Sequence, residues 1–230
     1  MNQLITQGII LSRTDYGEAD KIITLLTPDS GKLRLMARGV RRSKSRLAGG
    51  VELFSISDIS YIRGRGEIGT LISARLVTHY GSIVQDVTRT MLGYEMIKRL
   101  NKVTEDEPEA EYFELLQQVF AALNDATISL EIIRFWFGAR LLAQAGYSPN
   151  LYTDHSGVPL KAESSYSFSF DDMTFSPAES GRFSAGHIKF LRLAFSGNQP
   201  KVLSLVQGGV DLLPDLLPIT ETLIVNHIAR

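Results

Sequence analysis

Over the first third of the chain, apolar residues come in short runs with turn residues between them. Five runs rich in β-branched and apolar residues predict strands, at residues 7–14, 20–27, 31–38, 52–62 and 68–77. Turns are predicted at Asp15-Tyr16-Gly17, at Pro28-Asp29-Ser30-Gly31 and at Gly64-Arg65-Gly66. Five short strands cannot cover both faces of a flat sheet, so we expect them to close into a small OB-type barrel.

From about residue 82 the apolar positions recur every three to four residues, which predicts amphipathic helices. The first apolar stripe comprises Ile83, Val84, Val87, Met91, Tyr94 and Ile97. Further helices are predicted at 109–123, 129–145, 184–196, 200–207 and from about 215 to the end, and alternating aromatics predict a hairpin at 166–176. The predicted fold class is α+β, an N-terminal five-stranded OB-type β-barrel followed by a helical bundle with a small β-hairpin insertion.

These patterns divide the chain into four expected domains. Residues 1–80 form the barrel, 81–150 a central helical domain, 151–182 a small hairpin lobe, and 183–230 the C-terminal helices that complete the helical domain. The net charge of −1 is split between them. Residues 1–80 carry 12 Lys and Arg against 7 Asp and Glu, whereas 81–230 carry 12 against 18. This asymmetry indicates that the N-terminal part binds a polyanion and that the rest of the chain has a different function.

The strongest candidate for that polyanion contact is residues 32–46, which we call the basic segment. It holds seven cations and no acid: Lys32, Arg34, Arg38, Arg41, Arg42, Lys44 and Arg46. Clustered cations release counterions when they neutralise phosphates, so the segment predicts nucleic-acid binding. Alternation along the strand would turn Leu33, Leu35 and Ala37 inward. The plainer interpretation is a solvated loop whose charges only aid solubility.

Arg63 and Arg65 flank a second glycine-rich stretch, Gly64-x-Gly66-x-x-Gly69. This spacing spells a dinucleotide-binding fingerprint, but such a fingerprint requires a helix after it, and residues 70–77 predict a strand. We therefore interpret it as a hairpin tip that adds Arg63 and Arg65 to the DNA-binding residues. Among aromatics that could stack on bases, Tyr16, Phe54, Tyr61 and Tyr80, we expect Phe54 and Tyr61 in the core.

Residues arranged for covalent chemistry are scarce. The chain has no cysteine, and its four histidines are scattered without metal-ligand spacing. Asp154-His155 beside Ser156 could serve a nucleotide-processing enzyme, but a polar turn explains it more simply. We expect no enzyme activity and no cofactor. The N-terminus lacks the pattern of a secretory signal and no apolar run reaches about 18 residues, so a cytoplasmic protein without membrane contact is expected.

The order of several motifs resembles the RecO family of bacterial recombination mediators. They are Gly8-Ile9-Ile10-Leu11, Asp15-Tyr16-Gly17-Glu18-Ala19-Asp20, Leu25-Leu26-Thr27, Gly31-Lys32, the run from Ala37 to Ser45, Arg63-Gly64-Arg65-Gly66-Glu67, Arg134-Phe135, Leu141-Leu142 and Gly146-Tyr147-Ser148-Pro149. The resemblance is dense over the first 80 residues and faint beyond about residue 151. It implies an OB-fold, single- and double-stranded DNA binding, strand annealing and a nucleoid-associated location.

The same resemblance implies partners. They are RecR, the acidic tail of single-stranded DNA-binding protein (SSB), and RecA, which such proteins help to load, with RecF as a further candidate. Arg134 is the position carried over for the SSB tail, although it could instead pair with nearby Glu131. The chain departs from the family where many relatives have a zinc-binding Cys-x-x-Cys-Gly, because it reads Thr153-Asp154-His155-Ser156-Gly157. Zinc held by thiolates is excluded for this sequence. The alternative hypothesis is a non-enzymatic scaffold whose basic loop binds an acidic protein.

Overall fold

The computed structural model describes residues 3–64, 66–104 and 110–228. Over these residues the strands are β1 (Gln3–Tyr16), β2 (Asp20–Thr27), β3 (Gly31–Ala37), β4 (Ser55–Ile62), β5 (Ile68–His79), β6 (Tyr166–Ser169) and β7 (Thr174–Pro177). The helices are α1 (Val87–Val103), α2 (Ala110–Asn124), α3 (Leu130–Gln144), α4 (Ala185–Phe195), α5 (Pro200–Ser204) and α6 (Leu213–His227). The predicted α+β class is confirmed.

Strands β1 to β5 close into a barrel with the spatial order β1-β2-β3-β5-β4. Neighbouring strands are antiparallel, except that β3 and β5 run parallel. The long strand β1 pairs with β2 through its C-terminal half and with β4 through its N-terminal half. Closure pairs the strand edges that an open sheet would expose. The predicted five-stranded OB-type barrel is confirmed.

Glycines with positive φ shape the first two hairpin turns of the barrel. Gly17 has φ +58° and Gly31 has φ +61°, a left-handed conformation that is costly for residues with a Cβ atom. At the second turn the Thr27 hydroxyl donates a hydrogen bond to the Gly31 carbonyl oxygen at 2.8 Å. The turn predicted at Gly31 is therefore confirmed, and it places the basic segment directly at the start of β3.

Alternate side chains of the five strands fill the barrel. Ile10, Ile23, Leu25, Leu35 and Ile59 are each at most 1% exposed. In β3, Leu35 and Ala37 belong to this core and Leu33 packs against it, as the alternation predicts. Phe54 and Tyr61 are also buried, which confirms that neither is a free stacking platform, whereas Tyr16 is largely exposed.

Helix α1 forms where the sequence predicts it, but the predicted buried face is wrong. Val84, Val87, Met91 and Tyr94 are all exposed, and of the predicted stripe only Ile83 and Ile97 are buried. The buried face instead carries Leu92, Met96 and Leu100, which also recur every four residues. Gly93 decides between the two faces, because a Cβ atom there would lie 2.5 Å from the Phe54 ring. The missing side chain lets α1 approach that ring closely.

The chain divides into two compact units, Met1–Asn124 and Asp125–Arg230. Helices α1 and α2 thus belong to the same unit as the barrel. The four-domain division of the sequence, with boundaries near 80, 150 and 182, stays a prediction. Within the described ranges, none of the helices has both the length and the apolar character of a membrane span.

The second unit is organised around α3. Trp136, Phe135 and Phe137 are fully buried, and Phe135 stacks on Phe190 of α4 with ring centroids 5.5 Å apart. The indole N–H of Trp136 donates to the Asn198 carbonyl oxygen at 2.6 Å. The aromatic run on this helix therefore forms packed core.

The hairpin predicted at 166–176 is present as β6 and β7, which are antiparallel with Phe168 opposite Phe175. Their rings are 4.8 Å apart, and Phe175 packs edge to face on Phe183 at 5.5 Å. Aromatic contacts of this kind stabilise a small sheet beyond the area they bury. These aromatic contacts therefore help to hold the hairpin lobe together.

Candidate nucleic-acid interface

Strand β3 and the loop after it carry the basic segment. Alternation along β3 turns the apolar side chains inward and leaves Arg34 exposed on the outer face of the barrel. Beyond Ala37 the chain leaves the sheet, and Arg38, Arg41, Arg42, Lys44 and Arg46 are all exposed. The structure thus brings the cations of the segment, apart from half-buried Lys32, to the surface of one strand and one loop.

Lys32 differs from the other cations of the segment because its ammonium is already engaged. It is half-buried, and Nζ donates a hydrogen bond to the Asn101 carbonyl oxygen in the last turns of α1 at 2.9 Å. A lysine at a helix C-terminus satisfies a carbonyl that has no partner within the helix. Its predicted phosphate contact stays a prediction and would compete with this structural bond.

Backbone hydrogen bonds tie the basic loop to the β1–β2 turn. The Gly39 N–H donates to the Asp20 carboxylate at 2.7 Å, and the Arg41 N–H donates to the Ala19 carbonyl oxygen at 3.0 Å. The sequence alone does not indicate this anchoring role of Asp20. An Asp at the start of a strand gives no sequence signal of a partner 19 positions away. Asp20 therefore positions the loop that presents the cations.

Most of the exposed cations of the basic segment have no ion-pair partner in the described part of the chain. Among the described residues, the side chains of Arg38, Arg42, Lys44 and Arg46 make neither a hydrogen bond nor an ion pair. Arg41 is the exception in the loop, since its guanidinium lies 3.5 Å from an Asp15 carboxylate oxygen. Unpaired exposed cations can exchange water for phosphate oxygens without first breaking a protein contact. The loop therefore has the electrostatics of an anion-binding surface.

Asp15 is the acidic residue that competes for this surface. The pKa of its carboxyl lies below the ordinary value, because Lys21 donates a hydrogen bond to it and the charge of Arg41 adds to the effect. The carboxylate is exposed and stays ionised at neutral pH. It holds Arg41 in an ion pair of the kind that contributes little in water.

Replacing Asp15 by Asn is therefore expected to tighten binding of a single-stranded oligonucleotide by roughly threefold, because Arg41 and Lys21 lose their anionic partner. Fluorescence anisotropy with a labelled oligonucleotide measures this change. Asp211→Asn removes the same charge from the second unit and serves as the control. An equal gain in both variants would mean that only the net charge matters.

A second basic position lies at the β4–β5 hairpin tip. Arg63 is exposed there, while Arg65 lies outside the described residues. Gly69 is followed by strand rather than helix, as predicted, so the glycine spacing does not form a dinucleotide fold. Arg34 and Arg63 line one concave pocket of about 370 Å³ between β3 and this tip. Local sequence gives no sign of this pocket, because β3 and β5 are distant in the chain and pair only in the folded barrel.

Arg134, the candidate for the SSB tail, is a half-buried residue of α3 between the buried residues Ile133 and Phe135. The docking of an acidic and apolar tail requires a cation beside apolar surface. Arg134 supplies the cation, whereas Ile133 and Phe135 are fully buried and supply no surface. Its role and its pairing with Glu131 stay predictions.

Asp154 and His155 lie in a structured turn. One carboxylate oxygen of Asp154 accepts hydrogen bonds from the backbone N–H groups of Ser156 at 2.8 Å and Val158 at 2.9 Å. His155 Nδ1 lies 2.9 Å from the Ser176 hydroxyl. Over the residues that the structure describes, no three His, Asp or Glu side chains lie together as a metal site would require. The geometry favours a polar turn that hydrogen bonds hold together.

Replacing Asp154 by Ala is expected to destabilise this turn by about 2 kcal/mol, because two backbone N–H groups lose their charged acceptor. Hydrogen exchange at the Ser156 and Val158 amides should speed up accordingly. The control is Asp171→Ala, at an exposed acid whose side chain makes no hydrogen bond within the described part of the chain. A chelator should leave exchange in the parent protein unchanged, and chelator-sensitive exchange would contradict this account.

Comparison with known proteins gives the following matches. A family model described as "Recombination protein O N terminal" matches residues 1–80, and one described as "Recombination protein O C terminal" matches residues 85–230. DNA repair protein RecO from Bacillus pumilus is 35% identical over 172 residues, which are 74% of this chain and 65% of that protein. RecO from Bacillus velezensis is 34% identical over 170 residues, with 74% and 65% covered.

A third relative is DNA repair protein RecO from Halalkalibacterium halodurans, which is 33% identical over 146 residues. These residues are 63% of this chain and 57% of that protein. The chain therefore spans less than two thirds of the length of each of these relatives.

Proposed function

The chain belongs to the recombination protein O family, and from this premise we propose that it is a DNA repair and recombination mediator that binds single- and double-stranded DNA on its barrel. The observation that carries the proposal is the basic segment, which presents exposed cations along β3 and the following loop. Four of them, Arg38, Arg42, Lys44 and Arg46, have no acidic partner among the described residues. Such a surface binds phosphates regardless of base sequence, because its affinity comes from counterion release. The name that the relatives bear, DNA repair protein, is consistent with this assignment.

In this proposal the protein promotes strand annealing without a covalent step. Two complementary strands repel each other through their phosphates, and a surface that neutralises both lowers that repulsion. Arg34, Arg38, Arg41, Arg42, Lys44, Arg46 and Arg63 supply the neutralising charge, and Lys32 and Arg65 complete the set predicted from sequence. We assign no catalytic residue and no cofactor.

The helical part is proposed to dock protein partners. Residues 81–230 carry an excess of six acidic charges, which disfavours a second DNA surface there. Arg134 is the proposed contact for the carboxylate of the SSB tail. With RecR, and with RecF as a further candidate, the protein would help to load RecA on strands coated by SSB. This activity would take place at the nucleoid in the cytoplasm.

The domain division fits these roles. Residues 1–80 would be the DNA-binding domain, and 81–150 with 183–230 the partner-docking helices. Residues 151–182 would be a lobe that keeps the place of the zinc insertion of many relatives while hydrogen bonds and aromatic contacts replace the metal.

The test is a salt titration of the parent protein with a labelled single-stranded oligonucleotide, followed by fluorescence anisotropy. If about five cations contact phosphates, the logarithm of the association constant should fall with the logarithm of salt concentration at a slope of about −3.5. A slope near zero, or no binding at low salt, would contradict DNA binding by this surface. The basic loop would then be better explained as the docking site of an acidic protein.

A further inference from the structure

The pocket between β3 and the β4–β5 tip has walls of two chemical kinds. Its lining includes Arg34 and Arg63 together with half-buried Leu33 of β3. Glycines of the hairpin tip, including Gly66, form the opposite side and expose backbone instead of side chains. Its volume of about 370 Å³ lies near the lower end of the range for small-molecule sites, roughly 300–1,000 Å³.

The charges of the lining are available to an incoming anion. Among the described residues, Arg34 is held only by Glu67, at 3.6 Å, and the Glu67 side chain is 88% exposed. Such an ion pair in water is weak, so a phosphate can replace the carboxylate. Within the described ranges, Arg63 has no side-chain hydrogen bond or ion pair. Both guanidinium groups are therefore available to phosphate.

The side of the pocket at Gly66 is open. A Cβ atom built on Gly66 would have no atom within 4 Å among the described residues other than its two chain neighbours, so a side chain at this position would meet no close packing there. A surface that binds only phosphates can be flat, whereas a surface that binds an unstacked base needs a pocket. Arginine planes and aliphatic side chains are surfaces on which unpaired bases stack.

We propose that this pocket takes one unpaired nucleotide of a single strand. The base lies against Leu33 and a guanidinium plane, and its phosphate displaces Glu67 from Arg34 and bridges to Arg63. This inference rests on the proposed DNA binding and deepens it. It makes the pocket specific for single strands, because a base paired within a duplex cannot enter, while the loop cations bind phosphates of either form.

The experiment compares two probes on the full chain, a labelled thymidine oligonucleotide and an abasic chain of the same length and phosphate number. The parent should bind the thymidine probe roughly tenfold more tightly, since stacking a base stabilises the complex. Gly66→Leu should reduce this ratio severalfold, because the new side chain takes up the space for the base. Gly49→Leu is the matched control, as a Cβ at Gly49 also meets no atom within 4 Å and this residue is not part of the pocket.

The outcomes separate the pocket proposal from the proposed function. An unchanged ratio in Gly66→Leu, with that variant folded as thermal unfolding reports, would overturn the pocket proposal and leave DNA binding standing. Failure of the parent to bind either probe at low salt would overturn the proposed function itself. Glu67→Gln should tighten both probes by roughly threefold and Glu52→Gln, which frees Arg13 elsewhere on the barrel, by less. If the two substitutions change affinity equally, the inference that phosphate displaces Glu67 from Arg34 is wrong.

Discussion

Replacing Arg42 and Arg46 by Glu is expected to weaken binding of single-stranded DNA by on the order of 100-fold. Both side chains are exposed on the basic loop, and within the described residues neither has an ion-pair partner. A pair of unit charges at contact distance in water is worth about 1 kcal/mol, and each reversal exchanges an attraction for a repulsion. Salt screens part of this energy, which is why the expected loss is smaller than the full sum.

The measurement is the anisotropy titration at several salt concentrations, and the double variant should also show a flatter salt slope. Its matched control is Lys161→Glu/Lys189→Glu, which changes the net charge equally at exposed lysines of the second unit. The control should retain most of the affinity of the parent. If both double variants lose affinity to the same extent, long-range charge and not the basic loop governs binding. Thermal unfolding should hardly change, because exposed charges contribute little to folding.

Replacing Trp136 by Ala is expected to lower the free energy of unfolding of the second unit by about 4 kcal/mol. The side chain is fully buried in α3, so its removal leaves a cavity in the aromatic core. Its indole N–H also donates to the Asn198 carbonyl oxygen, and the truncation leaves that acceptor without its donor. Because this is the only tryptophan of the chain, unfolding has to be followed by circular dichroism and hydrogen exchange, not by tryptophan fluorescence.

Trp136→Phe separates the two causes, since it keeps most of the buried ring but not the N–H donor. We expect it to cost about 1–2 kcal/mol, mainly for the lost hydrogen bond. Protection of the α3 amides should fall in both variants, more strongly in Trp136→Ala. Equal losses in the two variants would mean that the hydrogen bond and not the packing dominates at this position.

The barrel shows how much can be predicted from local sequence. Strand alternation and turn residues predict β1 to β5, and each strand begins or ends within a few residues of its predicted bounds. The inward positions of β3 follow from the same period of two, which also turns Arg34 outward. These features depend on neighbours in sequence, and a pattern of polar and apolar residues records them directly.

The buried face of helix α1 could not be predicted from local sequence. Its sequence offers two apolar stripes, and both satisfy helical periodicity. The choice between them depends on Gly93 meeting the Phe54 ring from another part of the chain. The exposed side chains of Val87 and Met91 follow from that contact, which no periodicity encodes.

The sequence by itself determined the elements, the closed barrel and the concentration of cations in residues 32–46. Tertiary structure alone decided which cations are available. It engages Lys32 with the Asn101 carbonyl, pairs Arg41 with Asp15, and brings Arg34 and Arg63 to one pocket across the parallel β3–β5 pairing. The physical reason is that secondary structure follows the local period of the chain, whereas the partners of a side chain are set by residues distant in sequence that folding brings within a few ångströms.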